Sequence, residues 1–195
     1  MRGTGALTLL ALVATLGACA SLSEKDCAGG DWRGIGRADG QHGLPAGELD
    51  KHRKACAAQN VVPDEAAYKA GRDEGLAEYC TPAWAYVNAR RGLGYSGVCA
   101  TRNEGAFLEA YRGGQQVATV MRDVYDLRRN VDELEVAAMT RDVPDAERTQ
   151  MRMRAGDLNQ RLRMREWDLE KLDRDFAKRF GAPELTWSEL RSLNP

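Results

Sequence analysis

The chain has 195 residues, of which 29% are charged, and its net charge at neutral pH is −1. This length allows one compact domain with an appendage, or one elongated domain. The balanced charge gives no bulk attraction to polyanions, so we predict no nucleic-acid partner.

An export signal is predicted at the N terminus. A basic head (residues 1–2) precedes an uncharged apolar run (residues 6–16), and small residues then lead into Cys19. The apolar run is about half of the ~20 residues that a membrane span needs. The order Leu-Gly-Ala-Cys over 16–19 resembles the lipobox of bacterial lipoproteins, which implies cleavage after residue 18 and acylation of Cys19. An ordinary secretory signal that happens to carry a cysteine is the alternative.

The lipobox resemblance implies a location as well. We expect a signal peptide at 1–18, a tether at 19–26 and attachment to a membrane only through lipid on Cys19. Multiple acyl chains are needed for firm anchoring. Ala20, rather than Asp, follows the cysteine, which favours the outer membrane, on its periplasmic face.

Four further cysteines indicate two disulfides in an exported chain. They are Cys27, Cys56, Cys80 and Cys99. Three pairings are possible, and short loops favour Cys27–Cys56 with Cys80–Cys99 because they close at the lowest entropic cost. A metal site that adds His42 and His52 to the thiols is the alternative. We disfavour it because no C-x-x-C pair is present, and we predict neither a metal nor a cofactor.

Two glycine pairs repeat in the first half of the chain. Gly36 and Gly40 bracket one Gly-Arg-x-x-Gly string, and Gly71 and Gly75 bracket a second, with a degenerate third copy at 89–93. Glycines four apart on a helix form a strip that another backbone can approach closely. Glycine inside a helix costs about 1 kcal/mol relative to alanine, so we expect tight packing to offset that cost.

Five aromatic residues of the same segment form our candidate ligand surface. They are Trp32, Tyr68, Tyr79, Trp84 and Tyr95. Three of them adjoin the glycine strings, and their simpler interpretation is a core or half-buried role. A ligand pocket lined by all five is the alternative.

The remaining signals in this half are helical. Pro63, Asp64 and Glu65 open a helix that we predict to run to Tyr79, where Thr81-Pro82 ends it. A shorter helix is predicted over 50–59. No segment alternates as a strand does, so the predicted class is mainly α, with a small disulfide-stapled, glycine-rich head domain over 27–104.

These strings together resemble an uncharacterised proteobacterial lipoprotein family, domain of unknown function 2799. The strings that carry the resemblance are Ile35-Gly36-x-x-Asp39-Gly40-x-x-Gly43, His52-x-x-x-Cys56 and Tyr68-x-x-Gly71-Arg72-x-x-Gly75-Leu76-x-x-Tyr79-Cys80, followed by Gly92, Tyr95, Val98 and Cys99. The resemblance covers roughly residues 27–115. Two departures are Trp84-Ala85 in place of Asn-Gly, and Ala89 in place of Gly. The resemblance implies lipid anchoring and structural roles for glycines and cysteines, and it implies no activity.

A long antiparallel, coiled-coil-like helical hairpin is predicted over 105–181. Apolar residues recur at spacings of three and four from Val117 to Ala138, and again from Met151 to Phe176, with Arg165 as the one break. A proline-containing segment at 141–146 forms the turn between the arms. We expect Arg165 to reach solvent or an acid on the other arm. The spacing Thr186-x-x-Glu189 predicts a capping box for a short C-terminal helix within 182–195.

No catalytic constellation is evident, and we predict no enzyme activity. Asp39 and His42 form a possible acid–base pair, but a turn aspartate beside a surface histidine is the simpler interpretation. The charge runs at 122–129 and 148–165 are interpreted as solvated faces, with a basic stripe for anionic lipid or an anionic polymer as the alternative. We therefore expect a structural or interaction protein of the envelope, whose hairpin contacts a protein partner or a second copy. A binding module for a small ligand or cell-wall fragment is the alternative.

Overall fold

Capping side chains decide where several helices begin. The Asp64 carboxylate accepts a hydrogen bond from the backbone N–H of Ala67 at 2.9 Å, and the helix then starts at Glu65. Thr81 caps the next helix in the same way, with Pro82 in its first turn. The capping box predicted at Thr186 is present, because its hydroxyl accepts from the backbone of Glu189 while the Glu189 carboxylate accepts from the backbone of Thr186.

The computed structural model describes residues 22–193, and all regular structure in that range is helical. The predicted signal peptide (1–18) and Cys19 lie outside the described residues. The helices are α1 (Glu24–Gly29), α2 (Trp32–Gln41), α3 (Glu48–Cys56), α4 (Glu65–Tyr79), α5 (Pro82–Arg90), α6 (Glu104–Ala138), α7 (Asp145–Phe180) and α8 (Trp187–Ser192), with a 3-10 turn at Ala57–Gln59. The predicted mainly α class is confirmed. Helix α1 occupies part of the segment predicted as a tether.

The two glycine strings pack against each other where α2 crosses α4. A Cβ atom on Gly36 would overlap the carbonyl oxygen of Tyr68, and one on Gly71 would overlap the carbonyl oxygen of Arg33. Gly40 and Gly75 have the same reciprocal relation one turn later. The two backbones are therefore in direct contact, as the glycine spacing predicts.

Small residues also bring α5 onto the first half of α6. A Cβ atom on Gly114 would lie 2.7 Å from the Cβ of Ala89 and 2.8 Å from the backbone nitrogen of Arg90. Ala85 and Ala110 are fully buried beside this contact. The third, degenerate copy of the glycine string thus belongs to a second close helix crossing.

The long helices α6 and α7 form the predicted antiparallel hairpin. The apolar residues that recur every three or four positions form the seam between the two helices. On α6 every second residue of the seam is buried, namely Val117, Val124, Val131 and Ala138. Leu162 and Leu169 are buried seam residues of α7 that face them. Arg165 approaches Asp123 across the hairpin at 3.5 Å, the acid-pairing that the sequence suggests. None of the described helices combines the length and the apolar character that crossing a bilayer requires.

Two disulfides staple the first half. Cys27 is bonded to Cys56, and Cys80 is bonded to Cys99. The first bond lies in a small core with Trp32, Leu49 and Tyr68. The second lies in the main core, which continues from α4 and α5 into the hairpin.

Candidate functional site

A buried polar cluster lies beside the α2–α4 crossing. The Oδ2 atom of Asp39 lies 2.8 Å from Nε2 of His52 and accepts a hydrogen bond of 2.6 Å from the Tyr68 hydroxyl. All three residues are buried. Burial, together with the hydrogen bond to Asp39, raises the pKa of Tyr68 well above its usual range. The Tyr68 hydroxyl is therefore a hydrogen-bond donor that locks α4 to α2, and it is a poor acid–base catalyst.

The pair of Asp39 and His42, considered from the sequence, does not form. His42 Nδ1 lies 2.7 Å from the carbonyl oxygen of Ala38 at the end of α2, whereas the Asp39 carboxylate contacts His52 and Tyr68. The sequence separation of Asp39 and His52 hid this contact, since α3 returns His52 to α2 through tertiary packing. Within residues 22–193, no group of three or more His, Cys, Asp or Glu side chains has an arrangement that would hold a metal ion.

The five aromatic residues do not form one ligand surface. Trp32 and Tyr68 are buried in the small core, and Tyr79 is buried in the main core against Phe107, at a ring separation of 5.7 Å. Tyr95 also packs on Phe107, while its hydroxyl donates to Glu104 at 2.8 Å. Trp32 and Tyr68 are therefore unavailable to a ligand, while the rings of Tyr79 and Tyr95 are largely used in packing against Phe107.

One open groove does include an exposed ring of this set. It has a volume of about 670 Å³ and lies between the ends of α2 and α4, helix α5 and the loop that follows α5. Trp84 lines it together with Tyr79, Asn88 and Arg91. Burial raises the pKa of the Tyr79 hydroxyl, which is neutral at physiological pH as an ordinary tyrosine is.

A buried ion pair is the principal feature that the sequence did not reveal. Arg90 donates to Asp173 of α7 at 2.7 Å, and the Tyr86 hydroxyl donates to the same carboxylate oxygen at 2.6 Å. The side chains of Arg90 and Asp173 are only 1% and 2% exposed. Burial and the hydrogen bond to Asp173 raise the pKa of Tyr86 far above its usual range. This cluster attaches helix α5 to α7, the second arm of the hairpin.

Large apolar residues are exposed toward the turn end of α6. They are Tyr125, Val136 and, one residue past the end of the helix, Met139, which are 52%, 67% and 78% exposed. At ~100° per residue, these three positions lie on the same face as Gly114 and Ala118. That face is covered by α5 near the base of the hairpin and is open further out.

The C-terminal helix covers a short stretch next to α5. Leu190 is buried in the main core, and the guanidinium of Arg128 lies 5.7 Å from the centre of the Trp187 ring. The residue Arg90 also reaches this region, since it lies within 3.4 Å of the carbonyl oxygen of Pro183. The chain thus places two of its own helices, α5 and then α8, against the hairpin.

Comparison with known proteins agrees with the family that the sequence resembles. No curated protein and no solved structure matches the chain. The family match ends two residues after Gly114, so it includes both close helix crossings and the first part of α6. Residues 31–116 match the model of the family described as a protein of unknown function (DUF2799), the family that this part of the sequence resembles.

Proposed function

We propose that the protein is a lipid-anchored, non-enzymatic interaction protein of the bacterial envelope. In this proposal, the disulfide-stapled domain is a rigid base near the membrane, and the outer half of the hairpin, the interaction arm, contacts a partner. The anchor is Cys19, and helix α1 begins only five residues after it in the sequence. The stapled domain would therefore lie next to the outer membrane, on its periplasmic side.

One observation carries the proposal, namely the α6 face that contains Tyr125, Val136 and Met139. Helix α5 has 9 residues and covers about 14 Å, whereas α6 has 35 residues and is about 52 Å long. The outer part of the hairpin is therefore two-stranded, and it buries less apolar surface per residue than the three-helix base. A third helix in that place would remove the three exposed side chains from water.

The expected partner is an amphipathic helix. The chain's own α5 and α8 occupy the same side of the hairpin, so a partner helix would continue an arrangement that already exists. Helix-on-helix contact of this kind needs apolar residues at spacings of three and four on the partner. Asp132 lies within the open face and Glu135 lies at its edge, which favours a partner helix that places a Lys or Arg against these carboxylates.

In-cell photocrosslinking tests the contact. A photoreactive residue at Val136 or Met139 should give adducts that map to one amphipathic helix of one envelope protein. The matched control is Asp126, which is exposed and next to Tyr125 but points ~100° away from the open face. Equal adducts from Asp126 and Val136, or adducts scattered over many proteins, would reject the proposal.

The anchor needs a separate test. Cells that express the chain and are fed labelled palmitate should incorporate the label into the protein, and Cys19→Ser should abolish it. Unlabelled wild-type protein in the soluble periplasmic fraction would reject lipid anchoring without affecting the hairpin contact.

A small-ligand role is the second candidate, because the open groove contains both Trp84 and the neutral Tyr79 hydroxyl. Titration with envelope extracts or cell-wall fragments should then change tryptophan fluorescence in the wild type and not in Trp84→Phe. An identical change in both would place the ligand elsewhere.

A further inference from the structure

The outer face of α7 has a pattern of its own. Met153, Met164 and Trp167 are 66%, 64% and 64% exposed, and they share one face because they are separated by eleven and three residues. This face points away from the seam, where Ala155, Leu162 and Leu169 are buried. We define these three exposed residues as the α7 stripe. It extends over ~21 Å, and Gly156, Asp157 and Gln160 lie within it.

Four arginines flank the α7 stripe. Arg152 and Arg163 lie ~90° to one side of it, and Arg154 and Arg161 lie ~90° to the other. All four are exposed, and none has an ion pair within the described residues, in contrast to Arg128, Arg129 and Arg179. From Arg148 to Asp168, which includes the whole stripe, there are six arginines, two aspartates and one glutamate, a net charge of +3.

We infer that the α7 stripe and its four arginines dock on the surface of an anionic lipid bilayer. An interfacial helix has this composition, with Trp and other apolar side chains in the headgroup region and basic residues at the flanks. Arginine side chains at the flanks reach the phosphates while their stems cover apolar surface.

The apolar residues select lipid over other anionic partners. A soluble polyanion satisfies the arginines but leaves Trp167 and both methionines in water. A second copy that presented the same α7 face would bring eight arginines together, which like-charge repulsion disfavours. A bilayer satisfies both parts of the surface. The inference does not depend on the proposed helix partner, which would occupy a different face.

Quenching of Trp167 by lipid tests the inference with the full chain. Vesicles with brominated acyl chains are made from phosphatidylcholine alone, or with about 30% phosphatidylglycerol. The signal of Trp167 is the difference between wild type and Trp167→Phe, since the chain has four tryptophans. Any acyl anchor binds both kinds of vesicle, so a difference between them reports the α7 face and not the anchor.

We expect Trp167 to be quenched in the anionic vesicles and to remain unquenched in the neutral ones. Replacement of Arg152 and Arg163 by Gln should lower the docking constant about 25-fold, because each arginine near an anionic surface contributes roughly fivefold. The control replaces Arg129 and Arg179 by Gln, which removes the same charge from ion-paired sites and should change docking less than twofold.

Three results would overturn the inference. The first is equal quenching in neutral and anionic vesicles. The second is protection of Trp167 from an aqueous quencher by polyphosphate, with no quenching by brominated lipid. The third is a dimer in sedimentation whose Trp167 is already protected without lipid, which would assign the face to a second copy. Circular dichroism of each variant should match the wild type, since all substituted side chains are exposed.

Discussion

Gly36 and Gly71 are reciprocal partners across the α2–α4 crossing. Each would place a Cβ atom on the carbonyl oxygen that lies three residues before the other, at Tyr68 and Arg33. The two sequence copies, thirty-five residues apart, are therefore also two halves of a locally symmetric helix pair. The symmetry extends to side chains, because the Arg33–Glu74 ion pair corresponds to the hydrogen bond from Tyr68 to Asp39.

Gly71→Ala should destabilise the fold by about 2–3 kcal/mol, because the new methyl group meets backbone atoms that cannot move independently. Denaturant unfolding measures the change. The control is Gly156→Ala on α7, where a Cβ meets nothing within 4 Å. It should stabilise by up to about 1 kcal/mol through helix propensity. A neutral Gly71→Ala variant would contradict the close crossing.

Asp173→Ala should lower the free energy of unfolding by about 3–5 kcal/mol, since it leaves the Arg90 guanidinium buried without its counter-charge. The control is Asp123→Ala, which removes an ion pair with Arg165 in which both side chains are 47% exposed. That loss should be below about 1 kcal/mol. Thermal or urea unfolding of both variants gives the comparison, and similar losses would mean that the Arg90 pair is accessible to water.

The Cys80–Cys99 bond closes a loop with a sequence separation of 19. Replacement of both cysteines by serine should reduce stability by about 3 kcal/mol through the added freedom of the unfolded chain. Mass spectrometry of non-reduced peptides should find this bond and Cys27–Cys56. Peptides that link Cys56 to Cys80 would contradict the arrangement of the two cores.

Alkaline pH should destabilise the protein. Burial first, and hydrogen bonds to carboxylates second, raise the pKa of both Tyr68 and Tyr86. Their contribution is complete below the unfolded tyrosine pKa of about 10, and it is lost as the pH rises above that value. Each tyrosine should lower stability by up to ~1.4 kcal/mol per pH unit there.

Absorbance of ionised tyrosine, followed together with circular dichroism, checks this effect. We expect the phenolate signal of Tyr68 and Tyr86 to appear only as helix content falls. The variant Tyr68→Phe should show a shallower decline above pH 10, and ionisation of both residues in the folded protein would contradict their burial.

The helices that carry strong local signals were predictable from the sequence. Asp64 and the following residues fix the start of α4, and the spacing of apolar residues in threes and fours predicts the hairpin. Helix α5 was missed because Thr81-Pro82 was interpreted only as the end of α4. The same two residues also cap a new helix, and its small residues Ala85 and Ala89 pack on α6.

Tertiary partners were harder to predict than helices. Arg90 and Asp173 are 83 residues apart, and nothing local distinguishes them from the many exposed charges of this chain. The same holds for Asp39 and His52, which α3 brings together after a turn. The aromatic residues were recognisable as candidates for burial, but only the packed structure separates exposed Trp84 from buried Tyr79.

Amide hydrogen exchange along α6 in the purified full-length chain is the measurement that tests the account most directly. Residues 107–121 are covered by α5 and α7, whereas residues 125–138 have only α7 as a neighbour along most of their length. We predict slow exchange in the first segment and clearly faster exchange in the second, within one continuous helix. Uniformly slow exchange over both segments would contradict an open third-helix position, and with it the interaction arm.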